Sequence, residues 1–174
     1  MRAGLRVETL VNEAERELTI EARRLARQRG LPVLFDPNIR PNRWHDLDRG
    51  WELCRGVIDG AFVVRANLDE ARGIGGVGQA ASAIEAADAL CAQGARVAVV
   101  TMGAEGAVAR GEVEAQVPAP VVDVVSPLGA GDSFFGALAA GIQRRGWTAD
   151  AVAAALPAAV LAGAAACGSW GALG

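Results

Sequence analysis

The sequence predicts an α/β domain built on a mainly parallel sheet, and three observations carry that expectation. Short apolar runs alternate with segments of helical periodicity, the pattern of strands joined by crossover helices. The polar stretches "DPNIRPNRW", "RANLDE", "TMGAEG" and "SPLGAGD" each follow an apolar run. Such sheets bind ligands there, beyond the carboxyl ends of their strands. Finally, 174 residues with 52% hydrophobic and 21% charged content suit one soluble domain, spanning 1–174, with a sizeable core.

The elements follow in order. Residues 12–30 place Ala14, Leu18, Ala22 and Leu25 on one helical face and stop at Gly30, a residue suited to a left-handed cap. "LPVLFD" (31–36) reads as a buried strand and "PNIRPNRWHD" (37–46) as a proline-bounded loop. Leu47, Trp51, Cys54 and Ile58 repeat at helical spacing. "AFVVR" (61–65) is a strand, and Asn67 caps the helical turn that opens "NLDEAR". A helix over 79–94, a strand over 96–103, a hairpin over 106–118 and a strand over 121–125 come next. Two helices, 132–145 and 149–166, close the pattern, with Pro157 expected to kink or break the second.

Composition removes several classes of function. A net charge of −3 gives no electrostatic case for nucleic acid or an anionic membrane as partner. All 17 basic residues are arginine, so a Walker lysine, a Schiff-base lysine and a lysine base are excluded. Cys54, Cys91 and Cys167 are too scattered for a zinc or disulfide framework and suggest a reducing, cytoplasmic setting. Acidic residues near Met1 interrupt any signal-peptide pattern. The alanine-rich stretch 151–167 falls short of the roughly 20 residues a membrane span needs and reads as a buried helix.

The chemistry concentrates at "GAGD" (129–132). Glycines at 129 and 131 permit a tight turn and close approach of a ligand to the main chain. The helix that follows directs unpaired N–H groups and the positive end of its dipole at that turn, which favours a phosphoryl group. Asp132, in the first turn, is placed to accept a proton from a substrate hydroxyl. An aspartate that merely complements the helix dipole has the same local appearance, so the neighbouring motifs must decide.

Four motifs in order resemble those of the ribokinase, or PfkB-type, carbohydrate kinases. "VVDVVSPLGAGDSFFGALAAG" is similar to the second family signature, and "FDPNIRPNRW" resembles the D-x-N-x-R-x-x-x-W loop of the fructokinase and 2-keto-3-deoxygluconate kinase branch. "RANLDEA" resembles the N-x-x-E motif, with Arg65 where relatives usually carry lysine, and "TMGAEGAV" the T-x-G-x-x-G nucleotide loop. The resemblance implies a three-layer α/β/α ribokinase-like fold with ATP and Mg²⁺ as cofactors. It makes Asp132 the catalytic base and Gly129, Ala130 and Gly131 the anion hole. It puts Thr101, Gly103 and Gly106 against the nucleotide, and Asp36, Asn38 and Arg40 on the substrate or phosphoryl side. Asn67 and Glu70 would order magnesium, through water. Ser126 and Pro127 replace the usual D-T, which argues against monovalent-cation activation, and Val160 stands where many relatives place an asparagine near the adenine.

Against the same family, the chain begins where relatives are nearly half finished. The N-terminal half, with its sugar-binding motif and lid, is therefore expected to be missing, and sugar turnover by these residues alone is not expected. The expected function is ATP-dependent phosphorylation of a sugar hydroxyl, carried here by the C-terminal, nucleotide-binding portion. The alternatives are a truncated, non-catalytic nucleotide-binding remnant and a nucleoside kinase of the same family. Possible partners are a small sugar and either the missing half or a second copy in a homo-dimer. "GIGGVG" (73–78) follows a helical turn where a dinucleotide fingerprint would follow a strand, and the serine of "GDSF" lacks a suitably placed histidine. Trp51, Trp147 and Trp170 read as packing residues, while Trp44 could serve packing or the substrate mouth.

Overall fold

A computed structural model describes residues 4–6, 13–39 and 44–168. Among them a six-stranded sheet runs in sequence order, β1 (Gly4–Arg6), β2 (Leu34–Asp36), β3 (Val63–Asn67), β4 (Val97–Thr101), β5 (Ala107–Gly111) and β6 (Ala115–Val117). The first four strands are parallel, and β5 and β6 return as an antiparallel hairpin. The parallel strands are joined through α1 (Glu13–Gln28), α2 (Leu47–Ile58), and the pair α3 (Leu68–Gly75) and α4 (Ala83–Ala92). Since each new strand is added on the same side, right-handed crossovers put these helices on one face. The helices α5 (Ala130–Arg145) and α6 (Ala149–Cys167) cover the other.

Strand alternation divides the core accordingly. Phe35, Val64, Ala66, Ala98, Val100 and Val108 pack with Cys54, Ile58, Ile74 and Leu90 of α2–α4. Leu34, Val63, Val97, Val99, Ala107 and Ala109 pack with Phe134, Leu138, Ile142, Leu156 and Val160 of α5 and α6. The expected three layers are present. Arg65 follows the same alternation: two residues after Val63, it belongs to the α5–α6 face near the carboxyl end of β3.

Three sequence expectations change, and one strand is added. Residues 121–125 are not a strand. Pro118 and Pro120 follow β6 and lack N–H groups, so the ladder stops there. Val125 and Ser126 instead donate their N–H groups to the Cys167 carbonyl, at 2.8 and 3.1 Å, and Val121 is fully exposed. Second, α6 continues unbroken through Pro157. Pro157 is exposed, so the carbonyl its ring leaves unpaired can be solvated. Third, α1 buries Thr19 and Ala26 and leaves Leu18 71% exposed, so its inward face is rotated from the one the leucines mark. The added strand is β1, Gly4–Arg6.

Other features follow the sequence. Ser82 and Asn67 each open a helix with a reciprocal capping box. "GIGGVG" proves to be the end of α3, with Gly76 as its left-handed cap. The α6 helix is long and apolar enough to cross a membrane by length and composition alone. Here Val152, Ala155, Leu156, Ala159 and Val160 are buried against α5 and the sheet, whereas the expected burial does not extend to residues 161–167, where Leu161 is 58% exposed.

Candidate active site

The parallel strands β2, β3 and β4 end on Asp36, Asn67 and Thr101, so the chain delivers three polar residues to one edge of the sheet. After β2, the Asn38 N–H donates to Asp36 Oδ1 at 3.2 Å, and Asn38 takes a positive φ of 38°. That short Asx-type turn reverses the chain directly above the strand. Arg40, the third member of the group expected on the substrate side, lies outside the described residues.

Asn67 and Glu70 form the capping box of α3. Asn67 Oδ1 accepts the Glu70 N–H at 2.9 Å, and Glu70 Oε2 accepts the Asn67 N–H at 2.9 Å. The other carboxylate oxygen, Oε1, accepts the Ile39 N–H at 2.7 Å and so ties the β2–α2 loop to α3. Both Glu70 oxygens thus serve the backbone, and the residue is only 4% exposed. Among the described residues no group of three His, Cys, Asp or Glu gathers to hold a metal. Because the Glu70 and Asn67 side-chain oxygens already accept backbone N–H groups, a divalent ion near them would be reached through water.

Burial raises the Glu70 pKa above its ordinary value of 4.5, and the nearby Asp36 charge adds to the rise; the Asn67 and Ile39 N–H groups and Arg65 oppose it. The native state consequently holds this proton after the unfolded chain has lost it. The associated stability is fully present below pH 4.5 and is lost as pH climbs through the raised native value. Thermal unfolding of the wild type and Glu70→Gln from pH 4 upward should show the wild type losing stability relative to the variant. Parallel curves would assign the pH dependence elsewhere.

Arg65 joins the strand ends. Its Nη1 lies 3.3 Å from Asp36 Oδ2 and 3.4 Å from Oδ1, and its Nη2 donates to Thr101 Oγ1 at 2.8 Å. The guanidinium also sits over the Phe134 ring, 5.8 Å from its centroid. A Cβ at Gly131 would stand 3.0 Å from both Nη1 and Nη2, so glycine there lets α5 rest against the arginine. Sequence reasoning noted Arg65 only as a replacement for lysine. A charge inside the apolar run "AFVVRAN" was the available signal, because a buried strand seldom carries one without a task.

The glycine turn starts α5 two residues earlier than its apolar pattern suggests. Gly129 is a left-handed N-cap with φ 85°, and no side chain caps the helix. Ala130 and Gly131 occupy the first turn, and Asp132 follows them, exposed. Ala130 and Gly131 line a cleft of about 450 Å³ together with Arg65, Thr101, Gly103 and Gly106. Its other wall is apolar, from Val121, Val122 and Val124 to Phe134, Val160 and Cys167. The expected nucleotide residues and the anion turn thus share one cavity. Asp36, Asn67 and Glu70 do not line it, and Asp36 connects to it through Arg65.

Gly106 sets the shape of the loop that follows β4. It takes φ 94°, and a Cβ there would lie 2.0 Å from the Val117 carbonyl oxygen and 2.7 Å from the Ala119 nitrogen. Gly106→Ala should cost about 1–3 kcal/mol in denaturant unfolding, through strain and backbone clash together. Unchanged stability would show that the loop can relax at no cost.

The remaining candidates resolve as packing. Trp44 lies against Gly50 of α2, where an added Cβ would meet its ring at 3.1 Å, and packs on the α2–α4 side of the core. Trp51 packs there too, and Trp147 meets Phe62 edge-on at 6.1 Å. Trp170 lies outside the described residues. His45 is exposed.

Comparison with known proteins agrees with this geometry. The family model described as pfkB family carbohydrate kinase matches residues 3–172. Aminoimidazole riboside kinase of Salmonella typhimurium is 35% identical over 130 residues, covering 74% of this chain and 40% of that protein. Fructokinase of Vibrio alginolyticus is 29% identical over 137 residues, covering 78% of this chain and 44% of that protein. The crystal structure of aminoimidazole riboside kinase from Salmonella enterica, complexed with aminoimidazole riboside and an ATP analogue, superposes with a TM-score of 0.84 at 32% identity. That superposition covers 98% of this chain and 57% of the other. The chain therefore spans less than half the length of the curated relatives it matches.

Proposed function

Because this chain belongs to the pfkB family of carbohydrate kinases, we propose that it carries the nucleotide-binding and phosphoryl-transfer portion of an ATP-dependent kinase acting on a sugar hydroxyl. One observation supports this most: the uncapped glycine turn of α5 opens on the same cleft as Thr101, Gly103 and Gly106. The apolar walls suit an adenine ring, and the helix N-terminus suits the phosphates.

In this reading Asp132 takes the proton of the substrate hydroxyl. The hydroxyl oxygen bonds to the γ-phosphorus, and the bond from that phosphorus to the bridging oxygen breaks, leaving ADP. The first-turn amides of α5 stabilise charge on the phosphoryl oxygens in flight. Magnesium bound with the nucleotide would supply further charge neutralisation, with Asn67 and Glu70 touching its water shell. Asp36 and Asn38, fixed by the Asx-type turn and by the Glu70 latch on Ile39, would face the substrate side together with Arg40.

A riboside is the second substrate class, favoured by the relative named aminoimidazole riboside kinase. Calorimetric titration of the 174-residue chain with ATP and magnesium should give saturable binding; its absence would overturn the nucleotide reading. A coupled assay of a form of the protein that turns over, against fructose, ribose, 2-keto-3-deoxygluconate, aminoimidazole riboside and adenosine, then separates the two classes. Preference for either nucleoside would replace the sugar assignment.

A further inference from the structure

Among its described side chains, α1 buries only Thr19 and Ala26, which share the inward side of the helix. Its two flanks differ. On one, Arg23 and Arg27 pair with Asp59, the residue that ends α2. Helical spacing puts Leu18, Glu21 and Leu25 on the other. Leu18 is exposed and Leu25 half-buried there. Because α2 joins β2 to β3, farther into the sheet, the leucine flank faces away from it, toward β1. Among the described strands β1 is an outer one and pairs only with β2, so its second edge is open.

The charges on that flank are ordered. Exposed Glu17 precedes Leu18, and exposed Arg24 precedes Leu25. Two such helices laid parallel would set like charges together. Turned antiparallel about an axis near Glu21, each Glu17 faces the partner's Arg24, and the two leucine stripes meet. Arg24 gives Nε and Nη2 to Glu21 of its own helix, at 2.7 and 2.6 Å. That pair offsets the Glu21 charge at the axis and leaves Nη1 for the incoming carboxylate. Sheet geometry agrees. A crossover helix rides over the strands it joins, so α1 lies above β1 and β2. Antiparallel pairing of two β1 edges would then set the two α1 axes two strand spacings apart, about 9–10 Å, the usual separation of packed helices.

We propose that two copies of this chain associate through the Leu18–Leu25 flank of α1 and the open edge of β1, as a closed twofold dimer with one continuous sheet. With three residues, β1 offers a short ladder, so the helix flank supplies most of the selectivity. The nucleotide cleft, lined from α5 and α6 on the opposite face, stays open in both copies.

Sedimentation equilibrium of the 174-residue chain at micromolar concentrations should fit a monomer–dimer equilibrium with no larger species. Glu17→Arg sets like charges together at both symmetric positions and should weaken association roughly 10-fold. Adding Arg24→Glu reverses both charges, so opposite charges face again; affinity should return to within about threefold of the wild type. Leu18→Glu should weaken association by at least about 10-fold, since the lost apolar contact counts twice. Circular dichroism of the dilute monomers should be unchanged, because the substituted side chains are exposed. A wild type that stays monomeric overturns the proposal, and the leucine flank then belongs to a different partner. Dimers that tolerate both Glu17→Arg and Leu18→Glu, or a charge-reversed double variant no tighter than Glu17→Arg, overturn it as well. So does open-ended aggregation in place of a dimer.

Discussion

Asp132→Asn is expected to lower phosphoryl transfer by about 10²–10⁴-fold in a form of the protein that turns over, the usual worth of a positioned general base. Nucleotide affinity should change little. Asp132 is exposed and lies just past Ala130 and Gly131, which line the cleft, while the carboxylate itself is not part of that lining. Asparagine keeps the size and the helix position but accepts no proton at neutral pH. The measurement is kcat alongside the dissociation constant for ATP. Near-wild-type kcat would return Asp132 to a residue that complements the helix dipole, and a parallel loss of ATP affinity would make it a binding residue.

Arg65→Ala should destabilise the fold by about 3–5 kcal/mol, the usual result of removing one partner from a buried ion pair. The two side chains are 10% and 1% exposed, so water cannot take the place of the lost guanidinium around Asp36. Thr101 loses its donor, and the Phe134 ring loses the cation above it. Urea unfolding at neutral pH provides the value. A loss under 1 kcal/mol, as for a surface pair, would mean that the Asp36 region opens to solvent.

Much of this protein was legible because its determinants are local. Helical periodicity, the capping boxes at Asn67 and Ser82, and the glycines of "GAGD" act within a few residues of themselves. They were enough to place the alternating strands and helices and to put Asp36, Asn67, Thr101 and Asp132 at the ends of the elements where ligands bind. The sequence motifs likewise imply the family.

What failed depended on partners distant along the chain. "VVDVV" has the composition of a strand, but a strand needs a ladder; the prolines after β6 end the hairpin, and the segment ties itself to Cys167, more than forty positions away, instead. Leu18 and Leu25 mark an apolar stripe on α1, yet the docking of the helix on its neighbours chose Thr19 and Ala26 as the buried side. Arg65 is the plainest case. Its partners Asp36 and Thr101 lie 29 and 36 residues away, and Gly131 farther still. Local patterning sets which residues can be buried, because periodicity alone decides which side chains share a face. Only the packed sheet decides which charges are buried together, because a counter-ion is selected by distance in space.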